Sequence, residues 1–295
     1  MEKNTAMVDS AMEKLLAATP DFPESVRKAM RYSLFAGGKR LRPTLVLEAA
    51  ECCGLGAKKA LKTAASLEMI HTYSLIHDDL PAMDDDDLRR GKPTNHKVFG
   101  EAMAILAGDG LLTKAFEAAA ENAADLKLKG PAAAELVRLI AYGAGAEGMV
   151  GGQVADLAAE GMTKKLSKAA AAKMLEAVHR RKTGALIVAS LDAGAVLAGA
   201  SPAKREALRS YGESIGLAFQ IADDVLDVVG DKKKMGKRGS DRDNDKLTYA
   251  SLYGVDGARA KARSLVEMAH ANLKSFGRKA AALHELADYI ITRDK

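Results

Sequence analysis

Two groups of aspartates, far apart in the sequence, are the residues best suited to bind a metal ion. The first holds six carboxylates within ten positions, from Asp78 to Asp87. The second spans residues 223–227, and its outer members Asp223 and Asp227 are four apart, hence on one face of a helix. Mg²⁺ prefers carboxylate oxygens and usually shares its ligand shell with substrate phosphates. Two such groups facing each other across a fold predict a polynuclear magnesium site.

The first group needs a bend to act as one site. Asp78 and Asp84 are six positions apart and would diverge on a straight helix, but Pro81 between them is expected to end or bend the turn. Taken alone, a charge run of this kind is more typical of a solvated loop. The second group favours the metal site, because its neighbours are apolar and buried charges need a partner.

Cationic residues occur in several separate places along the chain. Lys39 and Arg42 lie three apart after a glycine pair, and Arg89-Arg90 directly follows the first acidic group. Further cations stand at 180–182 and 232–238. Because Arg binds phosphate bidentately and Lys binds it as a point charge, cations beside metal-binding acids indicate a polyphosphate ligand. Each cationic group alone is weak support, since a surface salt bridge or solvated loop would look the same.

Helices must position these residues. The chain has 295 residues, 48% of them hydrophobic and 4% aromatic, with recurrent alanine runs, which is the composition of helices. Segments between turn signals show helical spacing, and no long run of alternating β-branched residues argues for a sheet. We therefore predict an all-α fold: one domain over residues 1–295, a large helical bundle around a central cavity, with a mobile basic loop at 230–246.

Charge and cysteine content exclude several classes of protein. The net charge of +5 is small beside 44 basic and 39 acidic residues, and aromatics are sparse, so no nucleic-acid partner is expected. Cys52 and Cys53 are adjacent, which favours a reducing compartment. Residues 1–14 lack a signal peptide's apolar core, and the most apolar stretch, 184–200, contains Asp192 and suits a buried helix better than a membrane span. The sequence predicts a cytoplasmic protein.

These motifs together resemble those of the trans-isoprenyl diphosphate synthases, and most of all the bacterial farnesyl diphosphate synthase group, along essentially the whole chain. The matching segments are the early basic motif 38–43, the first aspartate-rich motif 78–84 with its extension to Gly91, the Lys182-Thr183 pair, Phe219-Gln220 leading into 223–227, and Gly236-Lys237. The resemblance implies an all-α isoprenoid synthase fold, usually a homodimer, and Mg²⁺ as cofactor, three ions per site with substrate bound.

The resemblance also assigns roles by position. It implies that Mg²⁺ is bound by Asp78, Asp84 and Asp223. It implies that the allylic diphosphate is neutralised by Arg89, Lys182 and Lys237, that isopentenyl diphosphate is held by Lys39, Arg42, His71 and Arg90, and that the reacting carbon is lined by Thr183 and Gln220. His71 lies seven residues before Asp78 on the same helical face; a lone helix histidine is otherwise most often packed or capping.

The implied reaction is a head-to-tail prenyl transfer. The allylic diphosphate, dimethylallyl or geranyl, ionises, the isopentenyl double bond attacks the allylic carbon, and a proton is lost to the departing pyrophosphate. Tyr73 and Ser74 lie five and four residues before Asp78, about one helical turn of 5 Å below it. In the family an aromatic there, with the two inserted residues of the first motif, accompanies a fifteen-carbon product. We therefore expect farnesyl diphosphate, although Tyr73 is also explained as core packing.

Four other functions remain open at this point. A geranylgeranyl diphosphate synthase would use the same chemistry and differ in product length. A class-one terpene cyclase would explain both acidic groups but would give Lys39 and Arg42 no function. A His-Asp phosphohydrolase is suggested by His71 and His77-Asp78 and leaves the second acidic group unexplained. A non-catalytic partner subunit would be expected to lack part of the acidic set, which is complete here.

Overall fold

The computed structural model describes residues 2–159, 166–229 and 247–293, and these fold almost entirely into helices, which confirms the predicted all-α class. The α-helices are α1 (Glu2–Leu15), α2 (Glu24–Leu34), α3 (Leu41–Cys52), α4 (Leu61–Asp78), α5 (Asn95–Phe99), α6 (Glu101–Asp125), α7 (Gly130–Ala144), α8 (Met149–Ala159), α9 (Lys168–His179), α10 (Ala185–Leu197), α11 (Pro202–Val229), α12 (Tyr249–Asn272) and α13 (Ala281–Thr292).

A few short elements connect these helices. Short 3-10 segments occupy Ala57–Ala60 and Lys274–Ala280, the second with a kink at Gly277, and a π-helix, Arg180–Gly184, joins α9 to α10. The strands β1 (Leu88–Arg89) and β2 (Lys92–Pro93) pair antiparallel. This hairpin, with two residues in each strand, follows the first acidic group and leads the chain into α5.

The helices pack around two apolar clusters that share α3 and α10. The first cluster draws on α1, α2, α4, α6 and α7, and the second on α11, α12 and α13. On α10, Leu186 and Ala193 face the first cluster while Ile187 and Leu191 face the second. This helix is the apolar stretch that the sequence predicted to be buried in the core. Because both clusters meet on the same two helices, we propose that the chain is one domain.

Glycine lets the two shared helices approach each other closely. A Cβ on Gly194 of α10 would lie 2.9 Å from the Ala49 Cβ on α3 and would also collide with the Val46 carbonyl oxygen. Contacts this short do not occur between real Cβ atoms, so any larger residue would push the helices apart. The close crossing holds the middle of α3, the helix that follows the basic turn, against α10.

Tyr211→Phe is expected to destabilise the fold by about 1–2 kcal/mol. Tyr211 on α11 is fully buried, and its hydroxyl donates a hydrogen bond to the Leu283 carbonyl on α13 at 2.7 Å. Phe keeps the packing and removes this hydrogen bond between α11 and α13. Urea denaturation measures the change, with Tyr253→Phe as control because Tyr253 is 46% exposed. Equal stability of the two variants would contradict the expectation.

Within the described residues, no helix combines the length and the apolar character needed to cross a bilayer. The cytoplasmic location inferred from the sequence stays a prediction.

Candidate active site

The first acidic group curls back on itself at the end of α4. The helix ends at Asp78, and the Asp84 backbone N–H donates to the Asp78 carbonyl at 2.8 Å. Pro81 lies in the intervening turn, as the sequence predicted. Burial and the neighbouring Asp84 raise the pKa of Asp78 to about 6, against the opposing pull of Lys182. The raised pKa means that nearby cations do not offset the cost of burying the ionised carboxylate. A bound cation would stabilise that ionised form.

Arg89 is engaged within the acidic loop itself. Its guanidinium contacts the Asp79 carboxylate at 2.6 Å and lies 3.6 Å from Asp86. The Asp79 side chain is buried, and burial raises its pKa while the bond to Arg89 lowers it. The sequence singled out Arg89 as a diphosphate ligand but did not identify Asp79 as its partner. In the structure the pair ties the hairpin to the end of α4.

A concentration of positive charge lies beside this loop. Burial lowers the pKa of Arg42 to about 10, with Arg90 lowering it further against the pull of Glu68. Burial and the same two arginines also bring the pKa of His71 well below its usual value. The Arg42 Nε is buried and bonds no protein atom. Three predicted ligands of isopentenyl diphosphate, Arg42, His71 and Arg90, therefore lie together, and an anion would offset the repulsion between the two guanidiniums and raise the pKa of His71.

The glycine pair before α3 makes room for one of these cations. The Arg90 guanidinium donates to the Gly37 carbonyl, and a Cβ on Gly38 would stand 2.6 Å from Arg90 Nη1. Gly38 also has a φ of +128°, which side-chain-bearing residues rarely adopt. Lys39, the fourth predicted member of this set, is exposed in the same turn.

The basic turn is anchored by a residue to which the sequence assigned no role. Arg40, almost fully buried, bonds Asp9 at 3.0 Å and Glu68 at 2.9 Å, and donates to the Leu34 carbonyl at 2.8 Å. It thereby joins α1, the end of α2 and α4 around the turn. The sequence contained one indication of this anchor. Glu68 is a charged residue inside an otherwise apolar helical segment, and a buried charge requires a partner.

The π-helix presents the Lys182-Thr183 pair. Lys182 Nζ bonds Asp156 of α8 at 2.6 Å and lies near enough to Asp78 to lower that carboxyl's pKa. Thr183 is buried. A Cβ on Gly152 would collide with the Lys182 backbone, so α8 packs directly on the π-helix. The sequence missed Asp156, whose position four residues after Gly152 puts it on the same face of α8. Local π-helices occur frequently at functional sites.

The second acidic group is shared between two partners from the C-terminal part of the chain. Asp223 pairs with Arg293 at 2.6 Å, and the Arg293 guanidinium lies 4.1 Å from the centre of the Phe219 ring. Gln220 donates to Asp223 at 3.5 Å, the upper limit for such a bond. Buried Asp224 accepts from the Tyr249 backbone N–H at 2.7 Å. Nothing in the sequence pointed to Arg293, a single arginine after the last helix.

Helix packing relates the second acidic group to the π-helix. A Cβ on Gly216 of α11 would lie 3.0 Å from the Gly184 Cα, so the helices touch there. Asp223 follows seven residues later, two turns along the same face and about 10 Å from Gly216. The convergence of Asp223 with Asp78 on a shared metal stays a prediction. Lys237 and the loop 230–246 lie outside the described residues.

The predicted chain-length residues lie on α4 as expected from their spacing. Tyr73 is 6% exposed and belongs to the first apolar cluster. The Ser74 hydroxyl donates to the His71 carbonyl at 2.9 Å and so bonds within its own helix. Burial raises the Tyr73 pKa. Tyr73 is thus the bulkier and more deeply placed of the two.

An all-α bundle that brings carboxylates and partly buried cations together at the ends of its helices has the architecture of the isoprenoid synthases. A family model described as polyprenyl synthetase matches residues 23–286. The chain is 48% identical over 275 residues to a farnesyl diphosphate synthase of Bacillus subtilis, across 93% of this chain and 90% of that one. It is 45% identical over 301 residues to the Escherichia coli farnesyl diphosphate synthase, across 100% and 98%.

Solved structures agree with the sequence relatives. An FPP/GFPP synthase from Zymomonas mobilis superimposes with a TM-score of 0.87 at 40% identity, covering 98% of this chain and 97% of that one. The chain belongs to the polyprenyl synthetase family, and its activity class is prenyl transfer. The resemblance noted from the motifs is confirmed, and the His-Asp phosphohydrolase reading is set aside.

Proposed function

We propose that this protein is an Mg²⁺-dependent farnesyl diphosphate synthase. It condenses isopentenyl diphosphate head-to-tail with dimethylallyl and then geranyl diphosphate. The observation that carries the proposal is the meeting of two opposite charge sets: Asp78 and Asp84, joined through their backbones at the end of α4, lie beside Arg42 and Arg90, with His71 close to both arginines. A metal-bound diphosphate and a second diphosphate together would neutralise both sets.

The donor set fits magnesium. Among the described residues, no three acidic, histidine or cysteine side chains gather closely enough to hold a metal by themselves. Mg²⁺ does not require such a cage, because it is usually bound by one or two carboxylates together with waters and substrate phosphates. Asp78 and Asp84 would supply that pair, and Asp223 a further ligand. The chemistry supplied by bound Mg²⁺ is neutralisation of the charge that develops on the leaving diphosphate.

The remaining side chains bind and orient the substrates. Arg42, Arg90 and His71, with Lys39, hold the isopentenyl diphosphate, and the unpartnered Nε of Arg42 is available to donate to it. Lys182 donates to the allylic diphosphate in exchange for Asp156, and Arg89 and Lys237 complete that set. Thr183 and Gln220 line the reacting carbon. No side chain here is assigned as general base, so the proton leaves with pyrophosphate.

Incubation of the purified chain with labelled isopentenyl diphosphate, Mg²⁺ and either dimethylallyl or geranyl diphosphate tests the function. A fifteen-carbon diphosphate is the expected product with both starters. Conversion of farnesyl diphosphate supplied alone would indicate a terpene cyclase, and absence of any prenyl product would refute the proposal. Omission of Mg²⁺ is expected to abolish turnover.

The geranylgeranyl alternative fits less well. The farnesyl diphosphate synthase of Bacillus subtilis is 48% identical to this chain, while the geranylgeranyl synthases of Capsicum annuum and Cyanophora paradoxa are 47% and 43% identical, so identity favours the shorter product by a narrow margin. Buried Tyr73 also supports the shorter product, since its ring occupies volume one turn below Asp78.

Tyr73→Ala is expected to lengthen the product. Removing the ring leaves a cavity that accepts one further isoprene unit, and the share of twenty-carbon diphosphate should rise about tenfold, the usual scale of discrimination by an apolar pocket. Chromatography of the products measures that share. Tyr142→Ala is the matched control, because it removes the same ring from a position on α7 that is 55% exposed. An unchanged product from Tyr73→Ala would place the chain-length limit elsewhere.

We further propose a homodimer that uses the outer faces of α6 and α8. Val150, Val154 and Leu157 recur along one face of α8 and are 44%, 64% and 40% exposed. Ile105 and Leu106 of α6 are 44% and 53% exposed. Exposed apolar residues in such number are typical of an interface, and a second copy of this chain is its proposed occupant. Sedimentation at twice the monomer mass would support this.

A further inference from the structure

His77 links the predicted chain-length residue to the neighbouring helix. It lies one turn after Tyr73 on the same face of α4, and the two rings meet edge to face, with centroids 5.7 Å apart and planes at 79°. On its other side, His77 Nε2 lies 3.1 Å from the Ile105 carbonyl oxygen of α6 and donates to it. The imidazole therefore stands between Tyr73 and α6.

Gly108 provides the space that this ring occupies. A Cβ at position 108 would collide with the His77 ring, and its three nearest atoms would all belong to that imidazole. Gly108 lies in the interior of a 25-residue helix, where glycine costs about 1 kcal/mol relative to alanine. A packing requirement accounts for that cost, and the packing partner is His77.

We propose that His77, seated against Gly108, holds the Tyr73 ring in place and thereby limits the length of the product. The inference rests on the proposed function and extends it to two residues that touch neither diphosphate. The end of a growing apolar chain presses on the Tyr73 ring, and that ring blocks it only while its rotamer is held. His77 is thus a positioning residue that acts through Tyr73.

The two contacts predict the direction of change in two variants. His77→Ala removes the support from Tyr73 directly. Gly108→Ala forces the imidazole to move, and because 29% of the His77 side chain is exposed while Tyr73 is buried, the ring yields toward solvent. Both variants should therefore raise the ratio of twenty-carbon to fifteen-carbon product by about fivefold or more.

Gly110→Ala is the matched control. It adds the same methyl group to the same helix, but the three atoms nearest to that Cβ all belong to Met30, whose flexible side chain lies 3.0 Å away and can adjust. The products of wild type and variants are compared after incubation with labelled isopentenyl diphosphate and geranyl diphosphate, and circular dichroism melting confirms that each variant is folded.

The outcomes separate this inference from the proposed function. Longer products from His77→Ala and Gly108→Ala, with Gly110→Ala unchanged, support the role of His77. If wild type makes farnesyl diphosphate and both variants keep its product ratio or shorten the product, the inference is overturned and the function stands. An unchanged ratio in Tyr73→Ala overturns it as well. If wild type forms no prenyl product, the proposed function itself is refuted.

Discussion

Asp78→Asn is expected to lower kcat for prenyl transfer by about 10²–10³-fold at saturating Mg²⁺, on the scale seen when one charge-stabilising group is removed from an active site. The substitution keeps the shape of the side chain and removes the charge that a metal ion requires. Asp78 ends α4, adjoins Asp84 and has a pKa raised to about 6 by burial, so its ionised form is unfavourable in the folded protein without a cation.

The same pKa shift predicts the stability of this variant. A carboxyl whose folded-state pKa lies above its unfolded value destabilises the fold at pH values above the unfolded pKa, and this penalty is present at pH 7 and is lost as the pH falls below 4. Asp78→Asn should therefore melt no lower than wild type in metal-free buffer at pH 7. Lost activity together with unchanged or higher stability distinguishes loss of metal binding from misfolding.

Asp85→Asn is the control for this prediction. Asp85 belongs to the same acidic loop, is exposed, and has a φ of +50° that asparagine tolerates well. Its turnover should stay within about threefold of wild type, as expected for a surface substitution. Near-normal turnover in Asp78→Asn, or an equal loss in both variants, would contradict the role of Asp78.

Lys182→Met is expected to reduce kcat by about 10²-fold while leaving the KM for isopentenyl diphosphate unchanged, because its charge stabilises the leaving allylic diphosphate and other residues hold isopentenyl diphosphate. Lys182 is carried by the π-helix, bonds Asp156 at 2.6 Å and faces Asp78. Methionine keeps the length of the side chain and removes its charge. Steady-state kinetics with each substrate varied in turn measures kcat and the KM for each substrate.

Arg181→Met provides the comparison for Lys182. It removes a charge from the preceding residue of the same π-helix, but Arg181 is exposed and lines a different cavity, of about 610 Å³, formed with residues of α7, α10 and α11. Turnover of Arg181→Met should resemble wild type. A matching loss in the two variants would mean that disturbance of the π-helix, rather than loss of the Lys182 ammonium, reduces activity.

Helical periodicity and local motifs were sufficient to predict the fold class, the buried character of α10 and the turn at Pro81. Those features depend on residues within a few positions of one another, and such spacing is visible in the sequence. The π-helix at Lys182 and the hairpin after the acidic loop were not predicted, because each is a local departure from regular geometry that depends on packing by distant residues such as Gly152.

The sequence by itself determined which residues carry charge, which segments are helices and which family the motifs resemble. The tertiary structure alone decided the partners: Arg293 for Asp223, Asp156 for Lys182, Glu68 for Arg40, and Gly108 for His77. Periodicity relates residues a few positions apart. These pairs are separated by 70, 26, 28 and 31 positions, and they meet only because the packing of the two apolar clusters brings their helices together.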